Sequence, residues 1–208
     1  MGNNRLLNYL NVENCTALTN SIDARQCFNL ETVDAIGSNL TSIALPEGGH
    51  LKNLNLPETI IDITIKNQHM IDNFNVKKVY NSQSGKNEYA NLTTIIIDDV
   101  PNLPIEDLLL NSPKLNCVRI VNTSWNVSSE QALKDIYDKI TQDFFIGKDA
   151  NNTLTEDAIL TGEVHIDKIS DEFLEILNDR FPELVIYEQG KAKFFIRYLN
   201  YDRKLLHK

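Results

Sequence analysis

Apolar residues along this chain recur in one short phrase, in which leucine or isoleucine is followed by apolar residues three and five positions later. Its clearest copies begin at Leu92, with Ile95 and Ile97 in the later places, and again at Leu115. Alternate residues of an extended strand point to opposite faces, so apolar residues two positions apart share a face. Each copy of the phrase therefore predicts a short strand with one buried side.

The phrase recurs through the first two thirds of the chain, and its copies begin at Leu7, Leu30, Leu40, Leu51, Ile60, Leu92 and Leu115. A short strand followed by a turn and a return segment, repeated every 20 to 29 residues or so, is typical of leucine-rich repeats. One such unit cannot bury its own apolar face, so several units have to stack. We therefore expect an α/β fold, a leucine-rich repeat solenoid with irregular coils and mostly parallel strands, over residues 1–190.

The copies at Leu40, Leu51 and Ile60 begin too close together for each to be an ordinary coil. Either each is a very short coil made of a strand and an abrupt turn, or two copies are the two legs of one longer coil. We favour the second interpretation, with residues 51–56 on the outer wall, because two copies together have about the length of one ordinary coil. The pattern itself does not choose between them.

In two segments of the C-terminal half, the spacing of the apolar residues changes from that of a strand to that of a helix. Ser128 and Gln131 have the spacing of a capping box, and an apolar stripe at helical spacing starts at Leu133. Ser170 is the expected cap of a second helix, whose apolar face includes Phe173. The sequence therefore predicts two short helices.

Two further segments depart from the repeat. The pattern lapses over residues 67–90, where residues 81–87 have the composition of a loop. Residues 191–208 are predicted to form a terminal β-hairpin, as the start of a following β module. The expected organisation is a repeat domain over residues 1–190 followed by this hairpin.

Composition narrows the function. The chain has 29 acidic and 20 basic side chains and a net charge of −9, which argues against a partner that is a nucleic acid. No run approaches the roughly 20 apolar residues of a membrane span. The three cysteines have no metal-binding spacing, and Cys15 occupies a core place of its repeat, so we expect it to be a buried free thiol.

Candidate chemistry is sparse. Asp98 and Asp99 at the end of a strand could bind a cation or share catalytic work, but neighbouring strand-end acids more often face water. His165 is predicted to lie exposed on the sheet, and Trp125 is predicted to belong to the core rather than to stack on a ligand. We expect a protein that is not an enzyme, with no catalytic residue, no cofactor and no metal.

Function should then lie on the exposed face of the strands, which carries the residues that alternate with the apolar ones. These side chains are expected to form a single ladder, a mixed polar surface suited to contact with a protein or a glycan. The predicted binding residues are Tyr9, Asn11, Asp34, Asn53, Asn55, Asp62, Thr64, Thr94, Ile96, Arg119, Glu163, His165 and Tyr187.

Several segments resemble leucine-rich-repeat virion structural proteins of tailed bacteriophages: residues 51–60, 91–97, 118–125, and 147–153 with 160–166. Residues 193–202 are similar to the start of the small β modules that follow such repeats. The resemblance implies a virion location in a tail, fibre or neck appendage, where a non-enzymatic module binds neighbouring virion proteins or a host surface receptor and could oligomerise in the assembled particle. Bacterial surface proteins have the same leucine-rich repeat pattern. The alternative is therefore a fragment of a bacterial cell-surface adhesin, located outside the cell or on its surface.

Overall fold

A computed structural model describes residues 4–142, 147–148, 154–155 and 158–193. Within these residues the fold is α/β, with mostly parallel strands, three helices and no sheet closed into a barrel. The elements in chain order are β1 (Tyr9–Asn11), β2 (Ser21–Asp23), β3 (Thr32–Asp34), β4 (Ser42–Ala44), β5 (Asn53–Leu56), β6 (Asp62–Lys66), β7 (Asn73–Val76), β8 (Val79–Asn81), β9 (Lys86–Glu88), β10 (Thr94–Asp98), α1 (Ile105–Leu110), β11 (Cys117–Asn126), α2 (Glu130–Ile140), β12 (Gly147–Lys148), β13 (Leu154–Thr155), β14 (Ile159–Ile166), α3 (Asp171–Arg180), β15 (Leu184–Glu188) and β16 (Lys191–Lys193). Of the predicted terminal hairpin, residues 194–208 lie outside the described residues.

The early strands enter different sheets in alternation. Strands β1, β3, β5 and β7 form a parallel four-stranded sheet, whereas β2 pairs with β4, and β6 belongs to a six-stranded sheet. The copies of the phrase at Leu40, Leu51 and Ile60 therefore lead into three strands of which only the middle one, β5, lies in the four-stranded sheet. Successive copies in this region therefore do not lie side by side in one sheet.

The six-stranded sheet has the order β16-β15-β14-β11-β10-β6, and it is parallel except for β16, which runs antiparallel to β15. Strand β4 lies beside β6 but is not paired with it along its length. Backbone hydrogen bonds join the two near their ends, from Ile61 N to Thr41 O at 2.8 Å and from Gly48 N to Lys66 O at 3.1 Å. We call this junction the seam.

In the second half of the chain a helix takes the place of a strand before each long strand of the six-stranded sheet. Helices α1, α2 and α3 precede β11, β14 and β15. The prediction of two helices was one too few, because α1 has only six residues and begins after Pro104 without a side-chain cap. Ser129, not Ser128, caps α2 by accepting from Ala132 N at 3.1 Å. Ser170 caps α3 as predicted.

The lapse between residues 67 and 90 contains more structure than the sequence predicted. It holds β7, the last strand of the four-stranded sheet, and the antiparallel hairpin of β8 and β9. Glycine at position 85, with a φ of 70°, lies in the turn of this hairpin, inside the segment expected to be a loop. In β7 the polar residues Asn73 and Asn75 alternate with the apolar residues Phe74 and Val76, so the prediction that the pattern lapses was wrong for this strand.

The apolar residues of both sheets and of the three helices form one continuous core. Leu30, Leu92 and Leu115 are buried in it and Leu7 packs against it. They do not stack in one row, however, because Leu7 and Leu30 precede strands of the four-stranded sheet and the other two precede strands of the six-stranded sheet. Trp125 is 2% exposed and belongs to this core, as expected.

Polar residues in the left-handed region directly follow β6 and β10 and lie at the irregularity within β11. Asn67, Asp99 and Asn122 have φ angles of 51°, 52° and 51° and follow three residues that are in register on β6, β10 and β11. Asparagine and aspartate tolerate this conformation better than other residues with a side chain. Cys15 follows a similar turn at Asn14 (φ 56°) and is exposed, so the prediction of a buried thiol there was wrong. None of the helices in the described ranges is long and apolar enough to cross a bilayer.

Candidate functional site

The predicted binding residues lie on two sheets rather than on one ladder, so the prediction of a single surface was wrong. The strands of both sheets have the same sequence pattern, so the pattern does not indicate which sheet a strand joins. On the four-stranded sheet lie Tyr9, Asn11, Asp34, Asn53 and Asn55. On the six-stranded sheet lie Asp62, Thr64, Thr94, Ile96, Arg119, Glu163, His165 and Tyr187.

On the four-stranded sheet the polar side chains bond mainly to one another. Tyr9 Oη donates to Asp34 Oδ2 at 2.8 Å, and the Asn55 amide donates to the other oxygen of the same carboxylate. Asn53 Nδ2 donates to Thr32 Oγ1 at 3.1 Å. These contacts run from strand to strand, so much of the hydrogen-bonding capacity of this face stabilises the sheet.

A groove of about 690 Å³ lies at the seam, and we call it the seam groove. Five of the predicted residues line it, contributed by β6, β10 and β11. Its other walls come from β4 and from the segments that follow β2 and β4, which sequence reasoning did not connect with the sheet. The lining residues are Arg25, Gln26, Phe28, Ser42, Ile43, Ala44, Leu45, Pro46, Glu47, Asp62, Thr64, Lys66, Thr94, Ile96 and Arg119.

The floor of the seam groove is less exposed than the sequence predicted. Thr94 is 8% exposed and Ile96 is 6% exposed, although both point away from the core side of β10. The prediction that they face solvent was wrong because the groove walls beside them limit their contact with water. Phe28, on the segment after β2, keeps 42% of its surface exposed at the rim. The groove thus has Ile96 at its centre, between walls that carry both apolar and charged residues.

Two of the three cations in the groove are held by carboxylates. Arg119 lies 3.8 Å from Asp98 Oδ2, and both side chains are largely buried. Arg25 binds Asp23 at 2.6 Å, and this hydrogen-bonded ion pair holds the pKa of the Asp23 carboxyl well below its usual range. Lys66, which is half-buried, has no ion-pair partner within the described ranges.

Asp62, like Lys66, is a half-buried charged residue of the groove, but its charge is negative. It is half-buried on the same outward side of β6 as Lys66, and in the part of the chain that the structure describes its carboxylate has no ion-pair or hydrogen-bond partner. A half-buried charge without a partner can form an ion pair with an oppositely charged group of a ligand. The groove therefore offers a cation and an anion at separate places.

A second cluster lies further along the same face, on β11, β14 and β15. Ser124 Oγ is 2.9 Å from His165 Nε2, and Glu163 Oε2 is 3.4 Å from that same nitrogen. The His165 and Tyr187 rings stack with centroids 4.9 Å apart and planes 20° apart. A catalytic triad needs the carboxylate on the other ring nitrogen from the nucleophile, so this arrangement does not match one.

Sequence reasoning missed Ser124 because the register of β11 shifts. Between Ile120 and Thr123 the pairing with β14 is irregular, and Asn122 adopts a left-handed conformation there. The inserted residue reverses the direction of the side chains that follow it, so Ser124 points outward although simple alternation from Ile120 would place it on the core side. The signal in the sequence is Asn122 in the middle of β11, since asparagine tolerates the left-handed conformation.

The paired aspartates at the end of β10 point to different partners. Asp98 accepts from Asn122 Nδ2 at 3.2 Å as well as lying near Arg119, whereas Asp99 Oδ2 is 2.8 Å from His69 Nε2. The left-handed conformation of Asp99 separates their directions. Within the described residues no group of three or more histidine, cysteine, aspartate or glutamate side chains is arranged to hold a metal ion.

Comparisons with models of protein families, with curated protein sequences and with solved structures found no match. Function is therefore argued from the geometry of the two sheets and the seam groove.

Proposed function

We propose that the chain is a leucine-rich repeat solenoid that acts as a non-enzymatic binding module, and that its binding surface is the seam groove with the adjoining face of the six-stranded sheet. The observation that carries this proposal is the convergence of Asp62, Thr64, Thr94, Ile96 and Arg119 on one groove. An apolar centre surrounded by polar and charged side chains is the usual anatomy of a surface that binds protein.

Repeated contacts between successive units support the solenoid. Asn39 Nδ2 donates to Thr16 O at 2.7 Å, and Asn91 Nδ2 donates to Glu58 O at 3.1 Å. Each of these asparagines directly precedes the first apolar residue of a copy of the phrase. Amides that bond to the preceding unit satisfy turn carbonyls and tie one layer to the next, as a stack of repeats requires.

The proposed location is a virion appendage, such as a tail, fibre or neck structure, and this part rests on the sequence resemblance. A binding module there would hold neighbouring virion proteins or contact a receptor on the host surface. Mass spectrometry of purified particles tests the location, and we expect peptides of this chain in them. Peptides found instead on the surface of a bacterial cell, and not in particles, would favour the adhesin alternative.

The binding surface can be tested with a photo-crosslinking amino acid. We would place p-benzoylphenylalanine at Thr64, in the groove, and at Glu172, an exposed residue of α3 outside the groove. Irradiation of the organism that produces the chain, or of particles that contain it, should give one crosslinked protein from position 64 and none from position 172. Equal crosslinking at both positions, or none at position 64, would overturn the choice of surface.

A further inference from the structure

We infer that the seam groove takes an extended segment of a protein partner that carries one carboxylate and one cation on either side of an apolar side chain. This inference rests on the proposed function and adds the chemistry of the partner. It depends on the placement of Lys66, Asp62 and Ile96 in the groove.

The two unpartnered charges are fixed at opposite ends of one strand. Asp62 and Lys66 begin and end β6, and both point to the groove because they lie an even number of residues apart. At roughly 3.3 Å per residue, their α-carbons are about 13 Å apart along the strand. At that separation they cannot form a close ion pair with each other, so each is available to an opposite charge on a ligand.

The centre of the groove is apolar. Ile96 is in register with Thr64, halfway between the two charges, and Leu45 and Phe28 lie among the groove walls. An apolar side chain of the ligand would bury its own hydrocarbon surface and that of Phe28, which is exposed at the rim of the groove. The complementary order along a ligand is therefore acid, apolar residue, base, with the acid at Lys66 and the base at Asp62.

The length and lining of the groove favour a peptide over a sugar. Saccharides are commonly held against aromatic rings, but Phe28 is the only aromatic residue among the lining side chains, and the rest of the apolar lining is aliphatic. An extended peptide places side chains four residues apart at about the same 13 Å as the two charges of β6. Because the chain carries a net charge of −9, a segment with a single acid meets less long-range repulsion than a strongly acidic one.

The probe is a yeast-displayed library of random twelve-residue peptides, selected against the whole chain. We expect enriched peptides to carry an acid and a base three to five positions apart with an apolar residue between them. Fluorescence anisotropy with a synthetic copy of the best peptide should show at least tenfold weaker binding to Lys66→Glu. Replacing the peptide acid with lysine should restore binding to that variant and weaken binding to the unmodified chain.

Glu172→Lys, a charge reversal on α3 outside the groove, is the matched control and should bind the peptide as the unmodified chain does. Circular dichroism of each variant separates lost binding from lost folding. The inference is overturned if the library gives no enriched peptides, if these lack the charge pair, or if Lys66→Glu binds them unchanged. A crosslink from position 64 together with any of these results would leave the proposed binding surface standing and reject only the partner chemistry.

Discussion

At Gly162 a side chain would clash with the backbone of a neighbouring strand. Gly162 lies inside β14 with a φ of 99°, and a Cβ placed on it would come within 2.5 Å of Thr123 O and 2.6 Å of Thr123 N. Both are backbone atoms of the paired strand at the irregularity of β11, so they cannot move without disturbing the ladder. The glycine therefore allows β11 and β14 to approach each other at the bulge.

We expect Gly162→Ala to lower the free energy of unfolding by about 3 kcal/mol, since it combines a left-handed alanine with a clash against backbone. Gly190→Ala is the matched control, because Gly190 also has a positive φ (76°) but meets nothing within 4 Å. It should cost only about 1 kcal/mol. Urea denaturation measures both, and equal losses would show that the close approach to Thr123 is not a constraint.

Ile97 tests the inward face of β10. It is 0% exposed, so Ile97→Asp would place a carboxylate in the core without a partner. We expect this variant to be unfolded at 25 °C, as judged by the loss of its circular dichroism transition. Glu163→Ala on the outward face should melt within a few degrees of the unmodified chain, and cooperative melting of Ile97→Asp near the original temperature would contradict the assigned register.

The helices are tied to one another by a repeated contact at their first turns. Glu106 of α1 accepts from Ser128 N at 2.5 Å and from Ser128 Oγ at 2.6 Å. Glu130 of α2 accepts from Ser170 N and Ser170 Oγ, both at 2.8 Å. In each case an acid in the first turn of one helix holds a serine at the start of the next. Carboxylates there also complement the positive end of the helix dipole.

The second of these contacts predicts a pH dependence. The Lys134 ammonium and the bonds from Ser170 lower the pKa of the Glu130 carboxyl from 4.5 to about 2. As pH falls, the unfolded chain takes up this proton first, so the stabilisation is complete above about pH 4.5 and is lost between there and pH 2. Glu130→Gln should therefore be less stable than the unmodified chain at pH 6 and equally stable at pH 2.

Urea titrations at a series of pH values measure the difference. Glu172→Gln removes a charge from the first turn of α3, where the structure gives no contact to Ser170, and serves as the control. It should show a smaller difference at pH 6 than Glu130→Gln. A constant difference for Glu130→Gln across the acid range would mean that its charge has no part in the contact.

Lys139 ties α2 to the end of α1. Its ammonium donates to Leu109 O at 2.6 Å and to Ser112 O at 2.7 Å, where α1 ends without intrahelical partners for its carbonyls. Burial lowers the pKa of Lys139 from 10.5 to about 8. The folded chain thus releases this proton at a lower pH than the unfolded chain, and the contribution of Lys139 to stability should rise between pH 8 and pH 10.5.

We predict that the free energy of unfolding of the unmodified chain will rise relative to that of Lys139→Met across this interval. Lysines and tyrosines elsewhere titrate in both proteins, so the difference between them isolates Lys139. Lys168→Met, which removes an exposed lysine, should show no such trend. A flat difference for Lys139→Met would mean that the two carbonyls keep its ammonium charged in the folded chain.

Across the whole molecule, one core joins the two sheets. Leu54 of β5 and Ile63 of β6 are both nearly unexposed members of the same cluster, although they belong to different sheets. A loss of packing in one sheet should therefore also lower the stability of the other sheet. The chain has a single tryptophan, Trp125 on β11, which reports on the six-stranded sheet by fluorescence.

We expect Leu54→Ala to lower the free energy of unfolding by about 3 kcal/mol, because the site is 0% exposed and the lost atoms leave a cavity. The urea midpoint of Trp125 fluorescence should fall together with that of circular dichroism. If the fluorescence midpoint stays unchanged while the circular dichroism midpoint falls, the two sheets unfold as separate units.

The seam groove could be predicted only in part. Its five sheet residues were identified because alternation places them between buried neighbours, as Thr64 lies between Ile63 and Ile65. The groove walls after β2 and β4, including Phe28, were not, because they follow strands that belong to a different sheet from β6, β10 and β11. Sequence reasoning also combined Tyr9 and Asn55 with residues of the other sheet, since both sheets use one phrase.

The amino-acid sequence by itself determined the strands that begin in the copies of the phrase, the inward direction of their repeated apolar residues and the cap of α3 at Ser170. These depend on the alternation of neighbouring residues and on a local hydrogen bond. Which sheet each strand joins, where β4 and β6 part, and which way Ser124 points were decided by the folded molecule. These features depend on contacts between segments far apart in the chain, where a repeated apolar phrase gives every strand the same local signal.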